Sequence, residues 1–359
     1  MDNQKLTDAK KAKNDEFFTQ LADIQREVNA YIEYNPDVFK DKTILLPCDD
    51  PEFSNFTRFF AQNFERFGIK KLISTSYAYA SKRITTPYQL SLFESQSPKF
   101  DKNKTKKHGK IFTLTRDKNK SGNIDINDLE WNYLKGDGDF RSEEVKKLRD
   151  EADIIITNPP FSLFREFVSW IFENEKEKKF LIIGNKNSVT YKEIFPLIKE
   201  NKIWIGYRNI NEDMWLEVPD FYDCEKSVDG KRLKHIMACW FSNLEHGGRY
   251  QPLSLMTMAD NLKFSKHKEI KGNGYQKYDN YDAIEVPFTD AIPSDYNGVM
   301  GVPISFLGKY NPEQFEIIGA SDNGAVGEEY KLPHFKKHNE PYINGEKQYK
   351  RIFIKFKRN

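Results

Sequence analysis

The chain has 359 residues, 31% of them charged and 14% aromatic, and a formal net charge of +2. That length suffices for two domains, or for one large domain with a smaller one. The near balance of charge excludes a uniformly basic nucleic-acid binder, so any such site has to be a local patch. No run of about 18 apolar residues exists, so no membrane span is expected. The polar start, Met1 to Asp15, has no signal-peptide core. Cys48, Cys224 and Cys239 cannot build a disulfide framework, and no Cys/His spacing suggests zinc. The chain therefore reads as cytoplasmic and metal-free.

After a lysine-rich start, a helix is expected from Asp15 to Tyr34, with Phe17 and Phe18 packed inward. Asp41 to Leu46 reads as the first strand, leaving through Pro47-Cys48-Asp49-Asp50-Pro51. A helix with Phe56, Phe59, Phe60, Phe64 and Phe67 at helical spacing follows and stops at Gly68. Such a strand–loop–helix is where a nucleotide-like cofactor sits. Leu72 to Ser76 reads as the second strand, with Thr75, Ser76 and Tyr77 where related folds place a carboxylate for ribose hydroxyls.

Pro98 to Lys110 is crowded with lysines, as either a solvated loop or a phosphate-contacting one. Asp117 to Asp128 fits several positions of an EF-hand loop. It ends in Asp128 rather than Glu and follows the strand-like Ile111 to Thr115, so a polar turn is the better reading. Gly136-Asp137-Gly138-Asp139-Phe140 follows Trp131 to Lys135. Its carboxylate and aromatic suit an adenine, with Asp139 accepting from an amino group and Phe140 stacking; a plain turn is the alternative.

Asp153 to Thr157 is a short β-branched run, read as a buried strand. It stops at Pro159 and Pro160, neither of which can donate to a ladder. A helix follows, with Phe161, Phe164, Val168, Ile171 and Phe172 at helical spacing. Asn158-Pro159-Pro160-Phe161 thus lies in the crevice at the carboxyl end of a strand, where open α/β sheets bind ligands. An exocyclic amine is a poor nucleophile because its lone pair is delocalised into the ring. Two acceptors on its N–H bonds, the Asn158 side-chain carbonyl and the Pro159 backbone carbonyl, favour a tetrahedral nitrogen. The prolines stiffen the loop, and Phe161 offers a face for a flipped-out base.

Phe180 to Asn185 is a further buried strand, Thr190 to Glu200 a helix, Ile203 to Tyr207 a strand, and His235 to Phe241 the last strand of this domain. Between the last two lie Tyr207, Trp215, Phe221 and Tyr222, as walls for a base or cover for the sheet edge. After Glu245, Gly, Pro, Asn and Tyr become frequent and helical periodicity fades. Two domains are expected, 1–244 and 245–359. The second ends in Lys350 to Arg358, whose cations either touch phosphates or protect an edge strand.

Asn-Pro-Pro-Phe resembles the motif of S-adenosylmethionine (AdoMet)-dependent amino-methyltransferases. Together, Asn14 to Gln20, Cys48-Asp49-Asp50-Pro51 with Ser54-Asn55-Phe56, Lys70 to Ile73 and Asn158 to Phe161 resemble the EcoRI-type adenine-specific DNA methyltransferases. Val299 to Leu307 and Asn311 to Gly319 are similar to their sequence-reading part. The resemblance implies a doubly wound, Rossmann-like, seven-stranded α/β sheet with a C-terminal DNA-recognition domain. It implies AdoMet as cofactor, held by Phe17, Phe18, Thr19, Cys48, Asp49, Asp50, Ser54, Ser76, Asp139 and Phe140. It implies methyl transfer to N6 of a flipped adenine in double-stranded DNA by Asn158, Pro159, Pro160 and Phe161, within an AATT-centred site. Members that act on one strand at a time can be monomers. The motif also occurs in enzymes that methylate RNA or protein glutamine, and Cys48 to Pro51 stands where most AdoMet enzymes have glycines. An RNA or protein methyltransferase and a non-catalytic DNA-binding relative therefore stay open.

Overall fold

The computed structural model describes residues 17–51, 54–78, 97–116, 124, 128–173, 176–218, 222–321 and 340–357. The chain forms two compact units, Met1–Asn185 with Asp213–His246 and Lys186–Glu212 with Gly247–Asn359. The segment Lys186–Glu212, read above as part of the first domain, groups with the second unit because its partners lie there. Lys199 Nζ donates to the Ile318 carbonyl at 2.8 Å, and the Arg249 guanidinium lies 3.6 Å from the centre of the Trp204 ring.

Strands β1 (Thr43–Leu46), β2 (Lys71–Ser76), β3 (Lys110–Leu114), β4 (Glu130–Tyr133), β5 (Ile154–Thr157) and β6 (Lys179–Asn185) belong to the first unit. With β11 (Ala238–Ser242) they run in the order β4-β3-β2-β1-β5-β6-β11, as part of a mixed sheet of eight strands rather than seven. The centre, β2-β1-β5-β6, is parallel, and β3, β4 and β11 pair antiparallel. Parallel strands need both faces covered. Accordingly β1 and β5 are buried at every residue. Helices Leu21–Tyr34 and Asn55–Gln62 supply apolar residues to the same core, among them Ile24, Val28, Tyr31, Phe56 and Phe60.

The chain runs from β1 to β2 on one side and comes back to β5 on the other. The sheet therefore has a topological switch point between β1 and β5, and a crevice outside their carboxyl ends. The loops after these two strands are Pro47–Pro51 and Asn158–Phe161.

Several expected elements are shorter. The first helix begins at Leu21, not Asp15, because Phe18 is drawn into an extended bridge with Glu217; Asn14 to Glu16 lie outside the described residues. The lysine-rich stretch is not all loop: Lys102–Lys107 form a helix capped by the Asp101 carboxylate, which accepts from the Asn103 and Lys104 amides. Those two bonds hold the Asp101 pKa below its usual value. The helix expected at Thr190 to Glu200 is confined to Phe195–Lys199, and the next strand to Trp204–Ile205. The strand expected at His235 to Phe241 breaks at Met237 into β10 (Lys231–Ile236) and β11. The EF-hand-like stretch lies outside the described residues apart from Ile124 and Asp128.

The second unit is built on a four-stranded sheet in the order β12 (Ala283–Glu285), β13 (Val299–Pro303), β17 (Arg351–Phe356), β14 (Phe315–Ala320). Glu285 and Arg351 are each 7% exposed. Arg351 donates to Glu285 through Nε and Nη2, and the Tyr278 hydroxyl donates to the same carboxylate. Gly301 has no room for a Cβ, which would strike that hydroxyl.

Candidate active site

Phe17, Phe18, Thr19, Cys48, Asp49, Asp50, Ser54, Asn55, Phe56, Asn158 and Pro160 line one cleft of about 510 Å³, open solvent at its mouth included. All of these residues belong to the first unit.

Its floor is a loop without glycine, and neighbouring hydroxyls explain why none is needed. Thr75 Oγ1 donates to the Pro47 carbonyl at 2.8 Å, Ser74 Oγ donates to the Asp49 carbonyl, and the Ser54 amide donates to the Asp50 carbonyl at 2.7 Å. The loop is thus tied to β2 through side-chain hydroxyls and to the next helix through a backbone bond, rather than through tight glycine turns. Ser54 caps helix Asn55–Gln62, accepting from the Phe56 and Thr57 amides at 3.1 and 3.4 Å.

Asp49 is 5% exposed, and both its carboxylate oxygens are engaged. Oδ1 accepts from Ser54 Oγ and Oδ2 from Thr157 Oγ1, each at 2.6 Å. The carboxylate therefore joins the loop after β1 to the last residue of β5, immediately before Asn158. A free acidic pair is not what the fold builds: Asp49 is a brace, and half-buried Asp50 is the carboxylate beside it in the cleft. Thr157, a polar residue closing an apolar run, was the signal for this brace.

Asn158 is fixed by its amide nitrogen. Nδ2 donates to the Phe17 carbonyl at 2.7 Å and lies 3.4 Å from Thr19 Oγ1. The Phe17 carbonyl only accepts, so the amide cannot be turned the other way without facing two oxygens together. Oδ1 is consequently the free end. It is buried and has no hydrogen-bond partner. Such an acceptor costs about 1–3 kcal/mol when left unmade.

The Phe17–Gln20 segment is clamped further. Phe18 and Glu217 exchange two backbone bonds of 2.9 Å, Asn55 Nδ2 donates to the Thr19 carbonyl at 2.8 Å, and Gln20 Nε2 donates to the Trp215 carbonyl at 2.7 Å. Asn55 and Gln20 were quoted from the sequence without a role; only the fold supplies one. Phe161 meets Phe17 edge to face at 5.9 Å, and Phe17 meets Tyr222 at 5.4 Å. Phe221 lies outside the described residues.

The remaining candidates stand elsewhere. Pro159 is buried, and Phe161 is half-buried behind Phe17. Ser76, at the end of β2, packs its carbonyl against Gly138, whose φ of +87° and missing Cβ that approach requires. Asp139 and Phe140 are not among the walls. Arg141 takes both oxygens of Asp139, at 2.9 and 2.6 Å, and that pairing raises the Arg141 pKa against the effect of burial. The Phe140 ring is fully buried, 5.1 Å from Phe167 and 5.6 Å from Trp170. Among the described residues no group of His, Cys, Asp and Glu is placed to hold a metal ion, and no helix is long and apolar enough to cross a membrane.

Known proteins resemble this chain along nearly its whole length. M.EcoRI of Escherichia coli, a type II methyltransferase, is 40% identical over 364 residues, covering 99% of this chain and 97% of that one. M.MgeORF184P of Mycoplasma genitalium is 36% identical, with 97% of each covered, and M.MpnI of Mycoplasma pneumoniae is 35% identical, with 98% of each covered. Both are likewise named type II methyltransferases. No solved structure matches. Residues 5–357 match the family described as adenine-specific methyltransferase EcoRI, and the chain belongs to that family.

Proposed function

We propose that this adenine-specific DNA methyltransferase holds AdoMet in the cleft between the Cys48–Pro51 loop and Phe17–Thr19, and presents a flipped adenine to it at Asn158. The family implies an AdoMet-type donor, and the cleft suits one: it carries a half-buried carboxylate, and it opens beside an unsatisfied acceptor. The donor supplies an electrophilic methyl on a sulfonium.

The chain's own groups do the rest. Asp50 receives the donor's ammonium, and Phe17, Phe18 and Thr19 close over its methionine end. Asp49 keeps the floor in register with Asn158 through Thr157. Asn158 Oδ1 and the Pro159 carbonyl would accept the two N–H bonds of adenine N6 and turn its lone pair toward the donor's methyl; the N–C bond would form in line as the methyl–sulfur bond breaks, with the neutral thioether leaving and the surplus N6 proton passing to solvent. Phe161 stacks on the extruded ring. Residues 245–359, all but the first two of which belong to the second unit, read the surrounding bases.

The observation that carries this reading is the buried, partnerless Asn158 Oδ1. A fold tolerates such an atom where a ligand completes it. The test is transfer of labelled methyl from AdoMet to unmethylated genomic DNA, followed by digestion to nucleosides. Label in N6-methyladenosine is the expected result; label in cytosine, or label only when RNA or protein is offered, overturns it. Mapping the modified sites reads the target, and an AATT-centred consensus is what the resemblance implies.

A further inference from the structure

Before β11 the first unit carries a small antiparallel sheet in the order β8 (Met214–Glu217), β10, β9 (Lys226–Val228). Met214, Leu216 and Ile236 anchor it in the core. Beyond that anchor, β9 and the start of β10 leave the body as a two-stranded ribbon. Lys226 to Lys231 are all exposed. Asp229 and Gly230 close the ribbon, both at positive φ, 51° and 76°, the geometry that a two-residue hairpin turn requires.

The ribbon concentrates charge that the chain as a whole lacks. From Lys226 to Lys234 it bears Lys226, Lys231, Arg232 and Lys234 against the single carboxylate of Asp229, while the entire chain sums to +2. Asp223 and Glu225 flank its entry. Two of the cations stand on aromatic platforms. Lys226 Nζ lies 3.4 Å from the centre of the Trp215 ring and Lys234 Nζ 4.9 Å from that of Tyr222. A cation held over a ring keeps its outward face for another anion, whereas an ion pair would consume it.

The mounting of the ribbon is what gives it a role. Glu217 of β8 is laddered to Phe18, the Trp215 carbonyl accepts from Gln20, and Tyr222 packs on Phe17, which packs on Phe161. The segment that walls the cleft is therefore the same segment that carries the ribbon.

We propose that the ribbon Lys226–Lys234 is a phosphate grip for the duplex beside the target adenine, and that it sets the depth at which the extruded base meets Asn158. This inference rests on the DNA reading given above. A two-stranded β-ribbon fits the major groove of B-DNA, and lysines on it neutralise phosphates without reading bases. Binding through it is sequence-independent and salt-sensitive.

The test compares the full chain with the Lys226→Gln/Lys231→Gln/Lys234→Gln variant, using fluorescence anisotropy on a short labelled duplex of mixed sequence across a salt series. The slope of log Kd against log salt should shallow by about two to three, and affinity near 0.1 M salt should fall about tenfold to a hundredfold. AdoMet affinity by calorimetry should stay within about twofold, because no ribbon lysine lines the cleft. In the unsubstituted protein the same three lysines should be protected from acetylation by duplex DNA, a reading that does not depend on the variant folding. An unchanged salt slope, or lysines equally acetylated with and without duplex, overturns the grip while leaving adenine methylation standing. An unsubstituted protein that binds AdoMet but neither binds duplex nor makes N6-methyladenine overturns both readings together.

Discussion

Arg351 and Glu285 in the second unit and Asn158 in the first are polar side chains set into buried surroundings, and they are finished differently. Around Glu285 both oxygens are taken, by the guanidinium and by the Tyr278 hydroxyl. Burial, and then the neighbouring carboxylate, push the Tyr278 phenol well up, so it stays a donor. Around Asn158 only the nitrogen is taken, and the oxygen is buried with nothing to bond. The first cluster is self-sufficient and holds a sheet together. The second is pre-organised and incomplete, as expected of a group that completes its bonding with a substrate. Asp49 stands between the two kinds: it lines the cleft proposed to hold the cofactor, yet both of its oxygens are taken.

Removing each cluster should sharpen that contrast. Asn158→Ala should lower methyl transfer to DNA by about a hundredfold to a thousandfold, the scale seen when one pre-organised polar partner is deleted. Its unfolding free energy should move by no more than about 1 kcal/mol, because losing the Nδ2 bond to the Phe17 carbonyl is offset by removing an acceptor that is buried unmade. Near wild-type turnover in this variant would break the comparison at its functional end.

Arg351→Met should do the reverse. Leaving Glu285 buried without its cation should cost about 3–5 kcal/mol of unfolding free energy, read from denaturant titration. A midpoint shift under about 1 kcal/mol would mean that the buried pair is not structural. Asp49→Asn should fall between them, weakening AdoMet binding and turnover about tenfold each while duplex affinity holds, since it loosens the tie between the cofactor loop and Thr157 without touching a base. Loss of duplex affinity with AdoMet binding intact would contradict that assignment.

The smallest expected effect lies at Asp290. Burial raises its pKa, but hydrogen bonds from Lys266 at 2.7 Å and His267 at 2.8 Å outweigh burial and hold it below the ordinary carboxylate value. A depressed folded pKa contributes stability that is present above the unfolded carboxylate pKa and is lost as pH falls through the folded one. Wild type should thus melt above Asp290→Asn at neutral pH, and the gap should close on acidification. A gap that widens in acid would reverse the sign.

Much of the first unit was legible as sequence. β-branched runs placed β1, β5 and β6 within a residue or two, because a strand covered on both faces has to be apolar throughout. Asn158 to Phe161 was legible because two prolines after such a run leave no alternative to a strand end. The C-terminal strand was legible as a strand but not in its place: Arg351–Phe356 lies between β13 and β14 rather than at an edge, and Arg351 to Ile354 are all buried instead of alternating. Less legible were the elements decided by distant partners. Phe17 and Phe18 read as the inward-packed start of a helix, yet a ladder bond from Phe18 to Glu217, almost two hundred residues away, pulled them into an extended wall. Phe140 looked like a ring for stacking and is instead packed between Phe167 and Trp170.

By itself, then, the order of residues determined which segments could be strands, where the stiff Asn-Pro-Pro-Phe loop falls, and which family the chain resembles, because propensity, proline geometry and periodicity are local properties. Tertiary structure alone decided that the loops after β1 and β5 open side by side, that Asp49 spends its charge on Thr157 and Ser54, and that Asn158 points an unpaired oxygen inward. Those outcomes depend on contacts more than a hundred residues apart in the chain, as between Asp49 and Thr157, and no local pattern encodes that meeting.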